Sequence, residues 1–190
     1  MLLETIKINN GIIENIKYHQ KRFDISRAKL FETKDELNLI DFLNPPKNGL
    51  FRCRISYDKD IKSIEYSTYE PKKFKKFKVI SSNIEYPFKY ANRKEFEDLK
   101  SKYPDFDEII IEKNGFLTDT TISNIAFFDG KKWLTPASPL LEGTMRAKLI
   151  DNDFLELADI KSNDIKRFKK FALLNAMLGF YEIKNYDISN

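Results

Sequence analysis

The chain has 190 residues, of which 42% are hydrophobic and 14% aromatic, so it can bury a sizeable core in one domain or two small ones. Lys and Arg outnumber Asp and Glu by 33 to 29, and a net charge of +4 without a base-stacking motif argues against a nucleic-acid partner. The single cysteine, Cys53, excludes an internal disulfide framework and favours a reducing compartment. The sequence shows no signal-peptide pattern and no apolar run of membrane-spanning length, so we expect a cytoplasmic protein without a membrane partner.

The first half of the chain predicts a small α/β domain over residues 1–80. Apolar alternation predicts strands at Leu2–Ile8 and Ile12–Ile13, separated by a turn at Asn9–Gly11. Helical spacing predicts a helix at Asn15–Phe31, and a pair of strands is predicted at Leu50–Tyr57 and Ile61–Tyr66. The lysine-rich stretch from Glu70 to Lys78 is typical of a solvated linker whose aromatic side chains rest on the body of the protein. The domain boundary is therefore expected near residue 80.

The second half predicts a larger domain over residues 85–190 in which strands and helices alternate. The predicted elements are helices at Arg93–Lys102 and Thr144–Ile150, and strands at Glu108–Glu112, Ser123–Phe128, Lys132–Leu134 and Phe171–Leu174. Lys113-Asn114-Gly115 is a hairpin turn signal. No internal repeat is visible.

One lysine differs from the many others by its surroundings. Lys89 follows the apolar segment Tyr86-Pro87-Phe88 rather than lying in a run of charges. A lysine among aromatic residues is partly desolvated, which lowers its pKa and makes it a usable nucleophile and base. Lys89 is therefore the candidate catalytic residue.

A carboxylate and a helix N-terminus follow downstream. Asp119 lies between two strand segments, where it is either a turn aspartate that bonds its own backbone or a carboxylate that faces a cationic ring. Gly143 and Thr144 precede a predicted helix, and the N-terminus of a helix can hold a phosphate with backbone N–H groups alone. A lysine, a carboxylate and a phosphate site are the parts that a pyridoxal phosphate site needs, and no metal site is predicted.

The first predicted helix carries two further polar candidates. His19 is the only histidine, but a lone histidine more often packs in the core or lies on the surface than takes part in catalysis. Arg22 is the better candidate, because its fork-shaped guanidinium suits a phosphate group.

The order of these segments resembles the class IV aminotransferase family, the fold-type IV pyridoxal phosphate enzymes. This family includes D-amino-acid and branched-chain transaminases and 4-amino-4-deoxychorismate lyase. The resemblance runs from Leu3-Glu4-Thr5 to Asn175-Ala176-Met177. It implies the two-domain α and β architecture of D-amino-acid aminotransferases, with a small antiparallel α/β domain, a larger barrel-like domain and the cofactor between them. It also implies a homodimer in which the partner's small domain closes the active site.

The resemblance implies a role for each matching residue. Lys89 falls on the Schiff-base lysine, and Arg22 falls on the arginine that binds the cofactor phosphate. Asp119 falls on the position that usually carries a glutamate to the pyridine nitrogen. The residues implied as cofactor-binding are Arg22, Lys89, Arg93, Asp119, Thr121, Ser123, Asn124, Thr144, Met145, Asn175 and Ala176.

Three departures from the family pattern are visible. The chain begins at the Glu-Thr strand, so the usual N-terminal strand block is expected to be missing. Asp119 is one methylene shorter than glutamate, so either the backbone approaches the ring more closely or a water intervenes. Met145 replaces the threonine common in transaminases, which removes one hydroxyl from the phosphate site.

Local segments favour elimination over amino transfer. Asn175-Ala176-Met177 is similar to the Asn-Ala-Leu segment of aminodeoxychorismate lyases, and Gly143-Thr144-Met145-Arg146 is similar to their Gly-Ile-Met-Arg. The segment from Lys89 to Arg93 is similar to their Lys-His-Leu-Asn-Arg. The resemblance thus implies a lyase that acts on a small-molecule amine, 4-amino-4-deoxychorismate, and yields 4-aminobenzoate and pyruvate.

Two alternatives stay open. A class IV transaminase of D-amino or branched-chain amino acids would need a cation for the substrate carboxylate. Arg52 or Arg54, which strand alternation places on one face, could supply it. A shortened homologue that binds the cofactor or a partner without turnover is the second alternative, and the retained Lys89 argues against it.

Overall fold

The computed structural model describes residues 1–189, which form two compact units. The first unit comprises Met1–Pro71 and Phe88–Asn92, and the second comprises Lys72–Pro87 and the chain from Arg93 onward. The chain therefore leaves the first unit and returns to it for one short segment.

The first unit is an antiparallel sheet of four strands with one long helix. The sheet has the order β2-β1-β3-β4, and its strands and helix are β1 Leu2–Asn9, β2 Ile12–Ile13, α1 Ile16–Phe31, β3 Leu50–Tyr57 and β4 Ile61–Thr68. A short 3₁₀ helix spans Leu39–Phe42. Alternation along β1 buries Leu2, Ile6 and Ile8, and this apolar face packs with Phe23 of α1.

The returning segment Phe88–Asn92 is held by the first strand. The N–H of Leu3 donates to the carbonyl of Lys89 at 2.9 Å, and the N–H of Ala91 donates to the carbonyl of Met1 at 3.1 Å. Because of this pairing, the segment belongs to the first unit, whereas the sequence-based division at residue 80 would assign it to the second.

The second unit is a mixed sheet with two helices. Strand pairing follows the order β10-β9-β8-β7-β6-β5-β13, with β11 paired to both β8 and β12. The elements are β5 Lys76–Ser81, α2 Lys94–Ser101, β6 Glu108–Lys113, β7 Phe116–Thr120, β8 Asn124–Phe128, β9 Trp133–Pro136, α3 Thr144–Asp151, β10 Leu155–Ala158, β11 Lys170–Asn175, β12 Gly179–Ile183 and β13 Asp187–Ser189, with a 3₁₀ helix at Ser162–Arg167. The predicted α and β class is confirmed, although the strand pairings within residues 1–189 do not close into a barrel.

The lysine-rich stretch is where the predicted elements differ most from the structure. Lys76–Ser81 is strand β5, not solvated linker, and it pairs in parallel with β6. Phe74 and Phe77 are buried in the core of the second unit, while the lysines between them face outward. The linker prediction was wrong for Lys76–Lys78, because charge outweighed the apolar alternation that Phe77 and Val79 continue. The predicted packing of the aromatic side chains onto the body is confirmed.

Two kinds of feature are absent from the described residues. No helix within residues 1–189 is long and apolar enough to cross a membrane. No group of three or more His, Cys, Asp or Glu side chains in the same residues could hold a metal ion.

Candidate active site

In the first unit, a buried carboxylate lies between an arginine and a histidine side chain. Glu4 lies on the inward face of β1 with Leu2 and Ile6, and it is fully buried. Its Oε1 accepts a hydrogen bond from Nε of Arg22 at 2.9 Å, and its Oε2 accepts one from Nη2 at 2.6 Å. Nδ1 of His19 lies 2.5 Å from Oε2. This two-pronged contact fixes the orientation of the Arg22 guanidinium.

The charges of this cluster have a definite pattern. Burial alone raises the pKa of Glu4, but the charge of Arg22 and the hydrogen bonds from His19 and Arg22 outweigh it and lower the pKa to about 2. Burial lowers the pKa of His19, and the charges of Arg22 and Lys89 act in the same direction against the contact with Glu4. Glu4 is therefore a carboxylate at neutral pH, paired with Arg22.

Lys89 belongs to the same unit as Arg22. It is half-buried, and its neighbours Phe88 and Tyr90 pack against the core of that unit. Its carbonyl is fixed by the N–H of Leu3, one residue before Glu4. Its positive charge contributes to lowering the pKa of His19, which contacts Glu4. The structure thus brings together two of the residues implied for the cofactor, Arg22 and Lys89.

Arg52 and Arg54 lie on one face of β3, as strand alternation predicts, and both are exposed. Arg54 pairs with Thr5 of β1, whereas Glu4 pairs with the buried Ile55. Residues that pair directly across two strands share a face of the sheet. Both arginines therefore lie on the face opposite Glu4, and their role in binding a substrate carboxylate stays a prediction.

In the second unit, the site is built around a second buried carboxylate. Asp119, near the end of β7, is 4% exposed. Its Oδ1 accepts a hydrogen bond from Nδ2 of Asn124 at 2.7 Å, and its Oδ2 accepts one from the N–H of Leu141 at 2.9 Å. Burial raises the pKa of Asp119 to about 7, against these hydrogen bonds and the more distant charge of Arg146. The donors are neutral, so they only partly compensate the burial of the carboxylate.

Thr121 and Arg93 brace the loop that follows Asp119. Thr121 donates its hydroxyl hydrogen bond to the buried carboxyl of Glu108, whose oxygens lie 2.7 and 2.8 Å away. The guanidinium of Arg93 donates to the carbonyl of Thr121 and stacks on Phe96, 4.9 Å from the ring centre. These contacts hold the loop from within the unit. Direct contact of Arg93 or Thr121 with a cofactor stays a prediction.

A neighbouring strand adds the turn that begins at Asn175. β11 pairs with β8, which places Asn175 beside Ser123, and its Nδ2 donates to the Ser123 hydroxyl at 3.0 Å. Its Oδ1 accepts from the N–H groups of Met177 and Leu178 at 3.0 and 2.8 Å. Asn175 thus shapes the tight turn that contains Ala176.

The N-terminus of α3 completes the second unit's part of the site. Thr144 is the buried first residue of the helix, and Met145 follows it, half-buried. The N-cap residue, Gly143, has no side chain to cap the helix, and backbone N–H groups at a helix N-terminus are suited to an anion. The loop from Leu141 to Gly143 joins this N-terminus to Asp119 through the Leu141 N–H.

Sequence analysis did not assign Glu4, Glu108 or Leu141 to the site. Glu4 gave a usable signal, because it occupies an inward position of the alternating strand Leu2–Ile8, where a carboxylate needs a partner. His19 and Arg22, three positions apart on α1, supply that partner. The sequence left open whether His19 packs in the core or lies on the surface, and the structure buries it fully.

Comparison with known proteins agrees with this arrangement. The family model for amino-transferase class IV matches residues 82–186. The chain belongs to the class IV aminotransferase family.

Relatives of the class IV chain cover nearly its whole length. A protein of Haemophilus influenzae described as uncharacterized is 39% identical over 184 residues, which are 94% of this chain and 98% of that protein. The crystal structure of a "putative 4-amino-4-deoxychorismate lyase" from Haemophilus somnus is 34% identical, with a TM-score of 0.86 over 94% of this chain and 96% of that chain. The structure of a "putative amino-acid aminotransferase" from Mesorhizobium loti is 22% identical, with a TM-score of 0.80 over 96% and 98%.

The residues present fit the cofactor of this family, pyridoxal phosphate. Asp119 is a buried carboxylate whose hydrogen-bond donors are neutral, so a protonated ring nitrogen would supply the missing positive charge. The N-terminus of α3 suits a phosphate, and Arg22 is a preoriented cation. As a class IV family member, the chain is a pyridoxal phosphate-dependent enzyme.

Proposed function

We propose that this enzyme is a lyase that converts 4-amino-4-deoxychorismate to 4-aminobenzoate and pyruvate. The observation that carries the proposal is the similarity, at 34% identity over nearly all of both chains, to the Haemophilus somnus protein described as such a lyase. The turn at Asn175-Ala176-Met177 supports it, because that segment resembles the corresponding lyase segment more than the hydroxyl-rich segment of transaminases.

Lys89 is the proton-transferring group of the proposed reaction. Lys89 would hold pyridoxal phosphate until the substrate amine takes its place, which frees the lysine amine, and the bound cofactor would supply an electron sink for the carbon that bears the substrate amine. The amine of Lys89 takes the proton from that ring carbon. It then returns a proton to the methylene of the departing enolpyruvyl group, as the ring becomes aromatic and pyruvate leaves. The lysine ends the cycle in the protonation state in which it began it.

The remaining residues bind and orient. Asp119 supplies the negative charge that keeps the pyridine nitrogen protonated, and the hydrogen bonds from Asn124 and Leu141 keep its carboxylate in place. Arg22 in the first unit and the N-terminus of α3 in the second are each suited to a phosphate group. Glu4 keeps the Arg22 guanidinium in one orientation through its two hydrogen bonds.

The cofactor assignment is tested by reduction with borohydride followed by peptide mapping. We expect a single adduct on Lys89, and the Lys89→Ala variant should give none. The exposed lysine of α2, Lys94, provides the matched control, since Lys94→Ala should leave the adduct unchanged. An adduct on another lysine of the wild-type protein would contradict the assignment.

The reaction is tested by two parallel assays of the purified enzyme. We expect aminodeoxychorismate alone to give 4-aminobenzoate and pyruvate in equal amounts over many turnovers. D- or L-amino acids with 2-oxoglutarate should give no catalytic glutamate formation. Turnover in the second assay with none in the first would replace the lyase by a transaminase of the same family.

We also propose that the enzyme works as a homodimer in the cytoplasm. The family resemblance supports the dimer, and the first unit exposes the large apolar side chains Ile12, Ile40 and Phe42. Light scattering on the purified protein should give twice the monomer mass of 22.4 kDa. A monomer that is fully active would contradict the dimer.

A further inference from the structure

Asn124 uses its whole side chain inside the protein. It is the first residue of β8, is 5% exposed, and pairs directly with Asp119 across the two strands. Its Nδ2 donates to Oδ1 of Asp119 at 2.7 Å and to the carbonyl of Leu141 at 2.8 Å. The two hydrogens of one amide group thus join the carboxylate of β7 to the loop before α3.

The oxygen of the same amide lies against Gly143. A Cβ added to Gly143 would lie 1.9 Å from Oδ1 of Asn124 and 3.0 Å from its Cγ, far inside the distance that real contacts allow. Gly143 has φ −72° and ψ 141°, a conformation that any residue adopts. The backbone therefore does not require glycine at this position, and the close approach of the Asn124 amide does.

The backbone of Leu141 contacts both Asp119 and Asn124. Its N–H donates to Oδ2 of Asp119, while its carbonyl accepts from Asn124. Asp119, Asn124, Leu141 and Gly143 therefore form one closed group of contacts, which we call the Asn124 lock. Thr144, the next residue after Gly143, begins α3.

We propose that the Asn124 lock fixes the Asp119 carboxylate to the N-terminus of α3, so that the two are held at one spacing. Asn124 is then a positioning residue, in contrast to its sequence-based assignment as a cofactor contact, and Gly143 is required because it admits the Asn124 amide. The value of this spacing for catalysis rests on the proposed function, in which Asp119 holds the pyridine nitrogen and α3 holds the phosphate. The lock itself is a property of the protein without its cofactor.

One other charge acts on Asp119 and has to be kept constant in any test. Arg146 of α3 is buried and donates to the carbonyl of Pro136 and to Oε2 of Glu142, both at 2.9 Å. Its positive charge lowers the pKa of Asp119, as does the hydrogen bond from Asn124. The variants that test the lock therefore leave Arg146 and Glu142 unchanged.

The test is a double-mutant cycle of Gly143→Ala and Asn124→Ala on the cofactor-free protein. The pKa of Asp119 is followed by carbon NMR of its carboxyl group, and stability is followed by urea unfolding. Asn124→Ala should raise the pKa of Asp119 by about 1 or more, since it removes a hydrogen bond to the charged form. Gly143→Ala should also raise it, although Gly143 does not bond Asp119, because the new methyl group displaces the Asn124 amide.

The decisive comparison is Gly143→Ala in the Asn124→Ala background. There the methyl group no longer meets the amide, so the further rise in pKa and most of the loss in urea midpoint should disappear. If Gly143→Ala alone fails to fold, recovery of folding in the double variant supports the lock. Equal effects of Gly143→Ala in both backgrounds, or no recovery, would overturn it.

A matched control and a cofactor measurement separate the lock from a general loss of structure. Asn152→Ala removes an exposed asparagine at the other end of α3 and should leave the pKa of Asp119 unchanged. A shift as large as that of Asn124→Ala would count against the lock.

With pyridoxal phosphate added, Gly143→Ala should raise the cofactor Kd at least about tenfold in the wild-type background and much less in the Asn124→Ala background. If the wild-type protein binds no pyridoxal phosphate, the proposed function fails while the cofactor-free cycle still decides the lock.

Discussion

The two buried carboxylates of this enzyme have opposite electrostatic surroundings. Glu4 in the first unit accepts hydrogen bonds from the cation Arg22, and its pKa is lowered to about 2. Asp119 in the second unit accepts hydrogen bonds from a neutral amide and a backbone N–H, and its pKa is raised to about 7. Burial opposes ionisation at both positions, so the charge of the hydrogen-bond partner decides the difference.

This difference indicates that Glu4 has a structural role, whereas Asp119 responds to the binding of a ligand. The protein itself supplies a counter-charge to Glu4, whereas Asp119 gains a counter-charge only when a cation binds. We therefore expect the same change, a carboxylate replaced by its amide, to have different consequences at the two positions.

The largest effect is expected on turnover. Asp119→Asn should lower kcat by about 10²–10³-fold, because an amide does not keep the pyridine nitrogen protonated, while cofactor occupancy falls much less. Glu4→Gln should instead lower occupancy and activity together, through Arg22. Steady-state kinetics and cofactor titration of both variants check this. If kcat and occupancy fell in parallel for Asp119→Asn, Asp119 would be a structural turn residue only.

The next effect concerns the stability of the cofactor-free protein at pH 8. Glu4→Gln should cost about 3 kcal/mol, because it leaves the largely buried Arg22 without its counter-charge. Asp119→Asn should cost less than about 1 kcal/mol, since the lost hydrogen bond is offset by removal of a buried charge. Urea unfolding measures both. Glu14→Gln is the control, because it breaks the more exposed ion pair with Lys7 and should change stability by less than about 1 kcal/mol. Equal losses at Glu4 and Asp119 would remove the distinction between them.

The pH dependence of stability should have opposite signs for the two carboxylates. Asp119 has a folded pKa of about 7, above its ordinary value of 3.8, so its contribution is fully present below pH 3.8 and is lost as pH rises through 7. Glu4 has a folded pKa of about 2, below its ordinary value of 4.5, so its contribution is present above 4.5 and is lost as pH falls through 2.

Between pH 4 and 7 the cofactor-free protein should therefore lose up to about 1.4 kcal/mol per pH unit through Asp119. Asp119→Asn should remove this part of the slope, and Glu4→Gln should leave it in place. Unfolding free energies measured at intervals across this range check the sign. A slope that is the same in wild type and Asp119→Asn would contradict the raised pKa.

The smallest effects are expected on the exposed face of the first unit's sheet, where charges remain solvated. Arg52→Gln and Arg54→Gln should each change stability by less than about 0.5 kcal/mol and leave kcat within about twofold of the wild-type value. A rise in KM at unchanged kcat for one variant would assign that arginine to the substrate carboxylate. A large loss of stability would show that its charge is not solvated.

The local elements of the fold were predictable from the sequence where pattern and turn signals agree. The first hairpin and the first helix were predicted to within one residue at each end, because Asn9-Asn10-Gly11 and the apolar spacing leave few alternatives. In addition to β5, strands β7, β10, β12 and β13 were not predicted, and Asp119, expected between two strands, lies in β7. Strands β10, β12 and β13 are short, and a short strand is defined by the partner that it pairs with more than by its own residues.

The site was predictable as residue types but not as a network. Lys89, Arg22 and Asp119 were proposed as site residues from the sequence, yet the Leu141 N–H that bonds Asp119 has no side-chain signature there. The requirement for glycine at position 143 is similarly invisible in the sequence, because it arises from the Asn124 amide that lies against Gly143 in the fold. Backbone contacts, and close approaches that a missing side chain permits, are determined by the tertiary structure and are hard to recognise from residue types alone.

The pairing of Phe88–Asn92 with the first strand bears on the stage of folding at which the backbone of Lys89 becomes fixed. The pairing of Leu3 with Lys89 closes a loop that contains most of the first half of the chain, and contacts between residues so far apart in sequence form late in folding. A fragment that begins at residue 85 would carry Lys89 without the strand that holds its backbone. The amine proposed to be catalytic thus lies next to the second unit in sequence but belongs to the first unit in the fold. We expect competence to react with an aldehyde to appear only after both ends of that loop have met.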